Sequence, residues 1–171
     1  PPAQLPLVWL AAATTGVIYL QILIGAVMRH MGAGLAIPDF PLSFGHLVPP
    51  TFDELIAINF AHRCGAVVVT IMVVWTAARA ILESSAAPAI RRTAIGLLAL
   101  LAVQITLGAL TVWTERSVLA ATGHVAIGAA VLATSLALTL RAYNAFGLPH
   151  RADTADAHPA TSGTIEPRVT V

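Results

Sequence analysis

Two histidines, His62 and His124, sit inside long stretches of apolar sequence. An ionisable side chain inside a membrane span is costly and is by default a functional candidate. His62 follows Leu55 by seven residues, and His124 follows Ser117 by seven. At ~1.5 Å of rise per helical residue, each imidazole is expected roughly 10 Å below the same membrane surface. Two imidazoles at equal depth on two helices of one bundle can ligate a single iron from opposite sides. Haem iron accepts such axial nitrogens. A zinc site would want three or four ligands, and the helices offer no further His, Cys, Asp or Glu. The competing reading is two unrelated histidines, each bonded to a backbone or threonine group.

The neighbours suit a flat macrocycle. Gly65, Gly123 and Gly128 leave room beside the backbone. Ordinary close helix packing through small residues explains them as well. Arg63, beside His62, is expected near the outer end of its helix, where a guanidinium fork could match a haem propionate. Snorkelling to the interface is the alternative. Gln21 and Gln104 lie well inside two other apolar stretches. Each could accept a bond from an imidazole N–H and so orient a ligand, or simply join two helices.

Those residues need four helices to hold them. The 171-residue chain is 57% hydrophobic and only 10% charged, with mean hydropathy +0.83. Soluble domains carry about a quarter charged residues, so an ordinary soluble enzyme is disfavoured. Leu7–Met28, Thr93–Thr114 and Ser117–Leu140 contain no charged Arg, Lys, Asp or Glu, and Leu55–Ala78 contains only Arg63. Each stretch has the length of about 20 residues that a helix needs to cross a bilayer. The first is too long for the apolar part of a signal peptide and has no basic segment before it. The sequence therefore predicts an all-α, four-transmembrane-helix bundle, with the haem site near its outer face. The membrane domain covers 1–146, with helices at about 7–28, 55–82, 90–114 and 117–142 and an outer loop at 29–54. Residues 147–171, rich in Pro, Thr, Ala, Asp and His, are expected to be a disordered cytoplasmic tail.

Arg79, Arg91, Arg92, Arg141 and Arg151 flank one side of the spans, whereas Arg29 and Arg116 flank the other. The positive-inside rule then puts both termini in the cytoplasm of a bacterial or archaeal cell, with the protein in the plasma membrane. Trp9, Trp75 and Trp113 fall near helix ends, as interfacial anchors do. The outer loop holds Pro38, Pro41, Pro49 and Pro50, which disfavour helix. Its Leu35, Ile37, Phe40 and Phe44 are too apolar for a freely solvated loop, so a lid over the bundle is expected. A net charge of +1 gives no basic field for nucleic acid. The lone Cys64 excludes an intrachain disulfide and is read as a small apolar residue. His30, His46, His150 and His158 are read as solvated.

A weak repeat relates the two halves. Gln21-Ile-Leu-Ile-Gly25-Ala26 corresponds to Gln104-Ile-Thr-Leu-Gly108-Ala109. His62 with Gly65-Ala66 corresponds, one residue out of step, to His124 with Gly128-Ala129. Two related helical hairpins about a pseudo-twofold axis along the membrane normal would give this pattern.

The loop Gly32-Ala-Gly-Leu-Ala-Ile-Pro-Asp-Phe-Pro-Leu-Ser43, the pair His62-Arg63, and Gln104-x3-Gly108 with His124 together resemble the heme A synthase family, also called cytochrome oxidase assembly proteins. The resemblance covers roughly residues 7–142. It implies a family usually built of two four-helix halves, each with a His pair near the outer face. It also implies oxidation of a methyl group of heme O to the formyl of heme A, with heme b and heme O as the candidate haems. This chain resembles one half, the N-terminal, substrate-side one. It departs from the family at three places. Ile37 and Ser43 stand where bacterial members often carry cysteines, and Phe40 stands for a tryptophan. Asn59 stands where the family often has a glutamate implicated in the chemistry, and an Asn cannot act as general acid or base.

Three functions follow as expectations. The first is a half-size heme A synthase, with membrane lipid and haem as partners, completed by a homodimer or a second half-size chain and served by heme O-producing and oxidase assembly proteins. The second is a non-catalytic bis-His b-type haem carrier or assembly factor, which Asn59 favours. The third is a small membrane subunit without haem.

Overall fold

In the computed structural model, which describes residues 5–83 and 87–147, every long element is a helix. They are α1 (Leu7–His30), α2 (Glu54–Glu83), α3 (Pro88–Trp113) and α4 (Val118–Phe146). All four are long and apolar enough to cross a membrane. In hydrocarbon every backbone N–H and C=O must be satisfied within its own segment, and a helix does this. The helices differ from the sequence-based bounds by one to four residues: α1 runs on to His30 and α4 to Phe146, while α3 ends at Trp113 and α4 starts at Val118. Residues beyond 147, expected to form a disordered tail, lie outside the described residues.

α1 packs on α2 and α4, and α3 packs on α2 and α4, so α2 and α4 occupy opposite corners of a square bundle. Leu5, the Arg79–Glu83 ion pair, Ala89 and Arg141 share one end, joined by bonds from Arg79 to the Leu5 carbonyl and from Arg141 to the Ala89 carbonyl. The 31–53 loop and the α3–α4 turn share the other. That turn uses Glu115 and Arg116 at φ 49° and 69°, and the Arg116 N–H reaches back to the Thr111 carbonyl at 2.8 Å.

Burial is uneven along the bundle. The hydrophobic core is built of Leu7, Val8, Ile18, Val73, Ala77, Leu97, Leu138 and their neighbours, which lie toward the end that holds Leu5 and Arg79. Hydroxyls stitch this half together. Thr14 Oγ1 lies 2.7 Å from Thr76 Oγ1, and Thr15 Oγ1 lies 2.8 Å from Ser135 Oγ and 3.0 Å from Thr139 Oγ1. Beyond Ile18, α1 has no fully buried residue, and α2 has none between Asn59 and Val69. The loop half of the bundle thus buries fewer side chains of α1 and α2, and it carries His62 and His124.

The loop is folded onto this end. A short 3₁₀ turn, Ala33–Leu35, follows Gly32, whose φ of 73° suits a residue without Cβ. Ile37 and Ala33 are fully buried, while Phe44 stays exposed, so the lid closes through its first half. Ser43 and His46 exchange backbone bonds around Phe44 and Gly45, both at positive φ. The Asp39 carboxylate accepts both N–H groups of that turn, from Phe44 at 2.7 Å and Gly45 at 2.8 Å. The Gly45 N–H does most to hold the Asp39 carboxyl below its ordinary value of 3.8, with Phe44 adding to it and desolvation opposing without reversing it.

Two outcomes are expected. Because the Asp39 value is depressed on folding, its contribution to loop closure is complete above about pH 3.8 and is lost as pH falls through the lower folded value. Amide protection at Phe44 and Gly45, corrected for intrinsic exchange, should fall there, and Asp39→Ala should lack it at every pH. In the tighter half, Thr14→Val should cost about 0.6 kcal/mol of unfolding free energy in detergent. The Thr14→Val/Thr76→Val double variant should cost less than the sum of the singles.

Candidate functional site

Each hairpin holds its histidine in the same way. On α2, His62 lies against α1, where a Cβ on Gly25 would come within 2.9 Å of its Cε1. On α4, His124 lies against α3, where a Cβ on Gly108 would come within 3.1 Å of its Cε1. Gly25 and Gly108 therefore make the space in which the two rings sit. Gln21 and Gln104, four residues earlier on the same helix faces, lie against Gly65 and Gly128, where a Cβ would meet the Gln21 Oε1 and the Gln104 Nε2. Gly65 and Gly128, expected beside a macrocycle, thus make room here for the glutamine side chains. Gly123 faces Leu107.

The hydrogen bonds differ between the hairpins. His124 Nδ1 lies 3.1 Å from the Gln104 carbonyl. A carbonyl only accepts, so Nδ1 carries the proton and Nε2 accepts from the Gln104 side-chain amide nitrogen at 3.4 Å. On the other hairpin the Gln21 amide nitrogen donates to the His62 carbonyl at 2.7 Å and lies 3.0 Å from His62 Nδ1. With the amide nitrogen fixed by that carbonyl, His62 Nδ1 accepts and its proton sits on Nε2. The side-chain oxygens of Gln21 and Gln104 are both buried without a partner.

His62 begins its ring eight residues into α2 and His124 six residues into α4. They lie at similar depth, about 12 Å and 9 Å along their helices. Their helices stand at opposite corners of the bundle. Among the described residues no cluster of three or more His, Cys, Asp or Glu exists. Two imidazoles from opposed helices, with two unpartnered amide oxygens beside them, form a donor set that fits haem.

Arg63 has another occupation. Its Nε donates to Asn59 Oδ1 at 2.9 Å, its Nη1 to the carbonyls of Asp39 and Leu42 at 2.8 Å each, and its Nη2 to the carbonyl of Ile37 at 2.9 Å. One N–H of its five remains for any other acceptor. Asn59, 3% exposed, donates from Nδ2 to the Ala33 carbonyl at 2.8 Å while accepting from Arg63. Both ends of the Asn59 amide are therefore engaged in holding the loop. Phe40 joins the same assembly: its ring lies 5.9 Å from the Arg63 guanidinium carbon and 6.2 Å edge-to-face from Trp113, whose indole N–H donates to the Phe40 carbonyl at 3.3 Å.

Sequence reasoning singled out His62, His124, Gln21, Gln104, Gly65 and Gly128, and the structure brings these together as two matched His–Gln pairs. It did not assign roles to Gly25 and Gly108, although the Gln-x3-Gly repeat carried that signal. It also gave no role to Asp39 or to the loop carbonyls that Arg63 binds, because backbone acceptors leave no mark in a sequence. Cys64, His30 and His46 are outside these contacts: Cys64 is exposed, as are both histidines.

Comparison with known proteins gives the family. Residues 1–136 match the family model described as cytochrome oxidase assembly protein. A heme A synthase of Symbiobacterium thermophilum is 40% identical over 94 residues, covering 54% of this chain and 29% of that protein. A heme A synthase of Nitrosospira multiformis is 34% identical over 134 residues, covering 71% of this chain and 36% of the relative. One from Staphylococcus haemolyticus is 33% identical over 119 residues, covering 70% and 38%. The matched segments thus span about a third of these curated relatives. With four spans and this match over most of its length, the chain is an integral membrane protein that belongs to the cytochrome oxidase assembly protein family.

Proposed function

We propose that this chain binds haem between His62 and His124 and takes part in the oxidation of the heme O methyl group toward the formyl of heme A, in the biogenesis of cytochrome oxidase. The observation that carries the reading is the pair of His–Gln units, built alike on two hairpins and brought to similar depth on opposed helices. The heme A synthase relatives support the reaction. Haem iron supplies the redox chemistry when bound. The chain's own residues do the rest. The Gln104 carbonyl holds the proton of His124 on Nδ1, which leaves Nε2, now bonded to the Gln104 amide, as the nitrogen to offer, and Gln21 sets which nitrogen of His62 carries the proton. Arg63 and Asn59 hold the loop closed over the outer end and limit water there. Heme O is the proposed substrate and heme b the alternative occupant. A second copy of this chain is a proposed partner. By the arginine distribution, both termini face the cytoplasm of a prokaryotic plasma membrane.

A second reading, a bis-His haem carrier or assembly factor without catalysis, draws support from Asn59. Its amide is committed at both ends to Ala33 and Arg63 and offers no acid or base.

The test is to purify the full chain in detergent after co-expression with a heme O source, then identify its haem by optical spectrum and extracted-pigment chromatography. Heme A or a hydroxylated precursor, absent from His62→Ala, is expected. Heme b alone with heme O unchanged would overturn the catalytic reading and leave the carrier. A Soret band unaffected by both His62→Ala and His124→Ala would overturn both. Gln104→Leu should retain haem far better than His124→Ala, because the backbone carbonyl that fixes His124 Nδ1 remains. A loss of affinity on the order of tenfold would bound the contribution of the Gln104 side chain.

A further inference from the structure

Far from the histidines, at the end of the bundle that holds Leu5 and Arg79, an open groove of about 530 Å³ runs between α3 and α4. Arg92, Thr93 and Arg141 line its mouth, and Gly96, Ala133 and Ala137 line its length. It lies on the outward side of the α3–α4 pair, and a Cβ on Gly96 would find no atom within 4 Å. The groove therefore opens toward lipid rather than into the bundle.

Its mouth gathers positive charge without an anion. Arg92 stands in the first turns of α3, which has no acidic residue in its first turn. The N-terminal end of a helix is itself positive, so a cation there is unfavourable unless an anion joins it. Arg141 of α4 adds a second guanidinium by leaning onto this same end, where its Nη1 bonds the Ala89 carbonyl at 3.2 Å and the Thr93 hydroxyl. Among the described residues the only ion pair is Arg79–Glu83, and neither of these two arginines has a carboxylate partner. Such basic pockets between spans, at the depth of the headgroups, suit an acidic phospholipid.

We propose that this groove binds one anionic phospholipid, its phosphate between Arg92 and Arg141 and one acyl chain along Gly96, Ala133 and Ala137. Gly96 lies four residues below Arg92, about 6 Å deeper in the membrane, where a chain and not a headgroup belongs. The site is independent of haem, and so is its test.

Full-length protein in detergent doped with phosphatidylglycerol or with phosphatidylcholine would be analysed by native mass spectrometry, with thermal unfolding followed in parallel. One retained phosphatidylglycerol per chain is expected, with no matching retention of phosphatidylcholine. Arg92→Gln should weaken it about fivefold. Gly96→Leu keeps every arginine but fills the groove, and it should abolish retention. Arg141→Gln removes bonds to Ala89 and Thr93 and could unsettle the fold, whereas Arg92 makes no side-chain bond among the described residues, so Arg92→Gln and Gly96→Leu carry the test. Equal retention in both of those variants would overturn the proposal. So would stabilisation by inorganic phosphate alone equal to that by phosphatidylglycerol, or a dimer that Gly96→Leu dissolves in place of lipid binding.

Discussion

The absence of water inside the spans governs this structure. Backbone groups there can be satisfied only within helices, and a polar side chain must find a partner on its own helix or a neighbouring one. The chain meets the second demand differently in its two halves. Toward the Leu5 end, threonine and serine hydroxyls pair across α1, α2 and α4 inside a packed apolar core. Toward the loop end, histidines pair with glutamines.

The two hairpins are alike in plan and unlike in proton placement. In both, a glutamine and a glycine four residues apart on one helix meet a histidine and a glycine on the next. His124 faces a backbone carbonyl, which fixes its tautomer whatever the Gln104 side chain does. His62 faces the Gln21 side-chain amide, whose nitrogen also donates to the His62 carbonyl. One tautomer is thus set by main chain and the other by a side chain.

Arg63 links this site to the exterior. A guanidinium within a span needs its donors satisfied, and here they gather three loop carbonyls and Asn59. The lid over the haem half is held by main-chain acceptors, with Asp39 closing the turn beyond it. Residues that seem free for chemistry in a list of motifs are here part of the closure. A propionate could claim only the one remaining N–H unless the loop moved.

The sequence by itself determined the fold class and the identity of the chemical groups. Charge-free stretches of span length force four helices, and matched spacing from the helix starts puts His62 and His124 at one level. These properties are legible because they depend on composition and on rise per residue alone. The Gln-x3-Gly repeat also located both glutamines and the glycines beside them. Tertiary structure decided what touches what. It gave Gly65 and Gly128 to the glutamines, Gly25 and Gly108 to the imidazoles, and Arg63 to the loop. Such choices depend on helix rotation and on the path of a loop whose acceptors are main-chain oxygens. Every residue carries that oxygen, so no residue type in the sequence announces it.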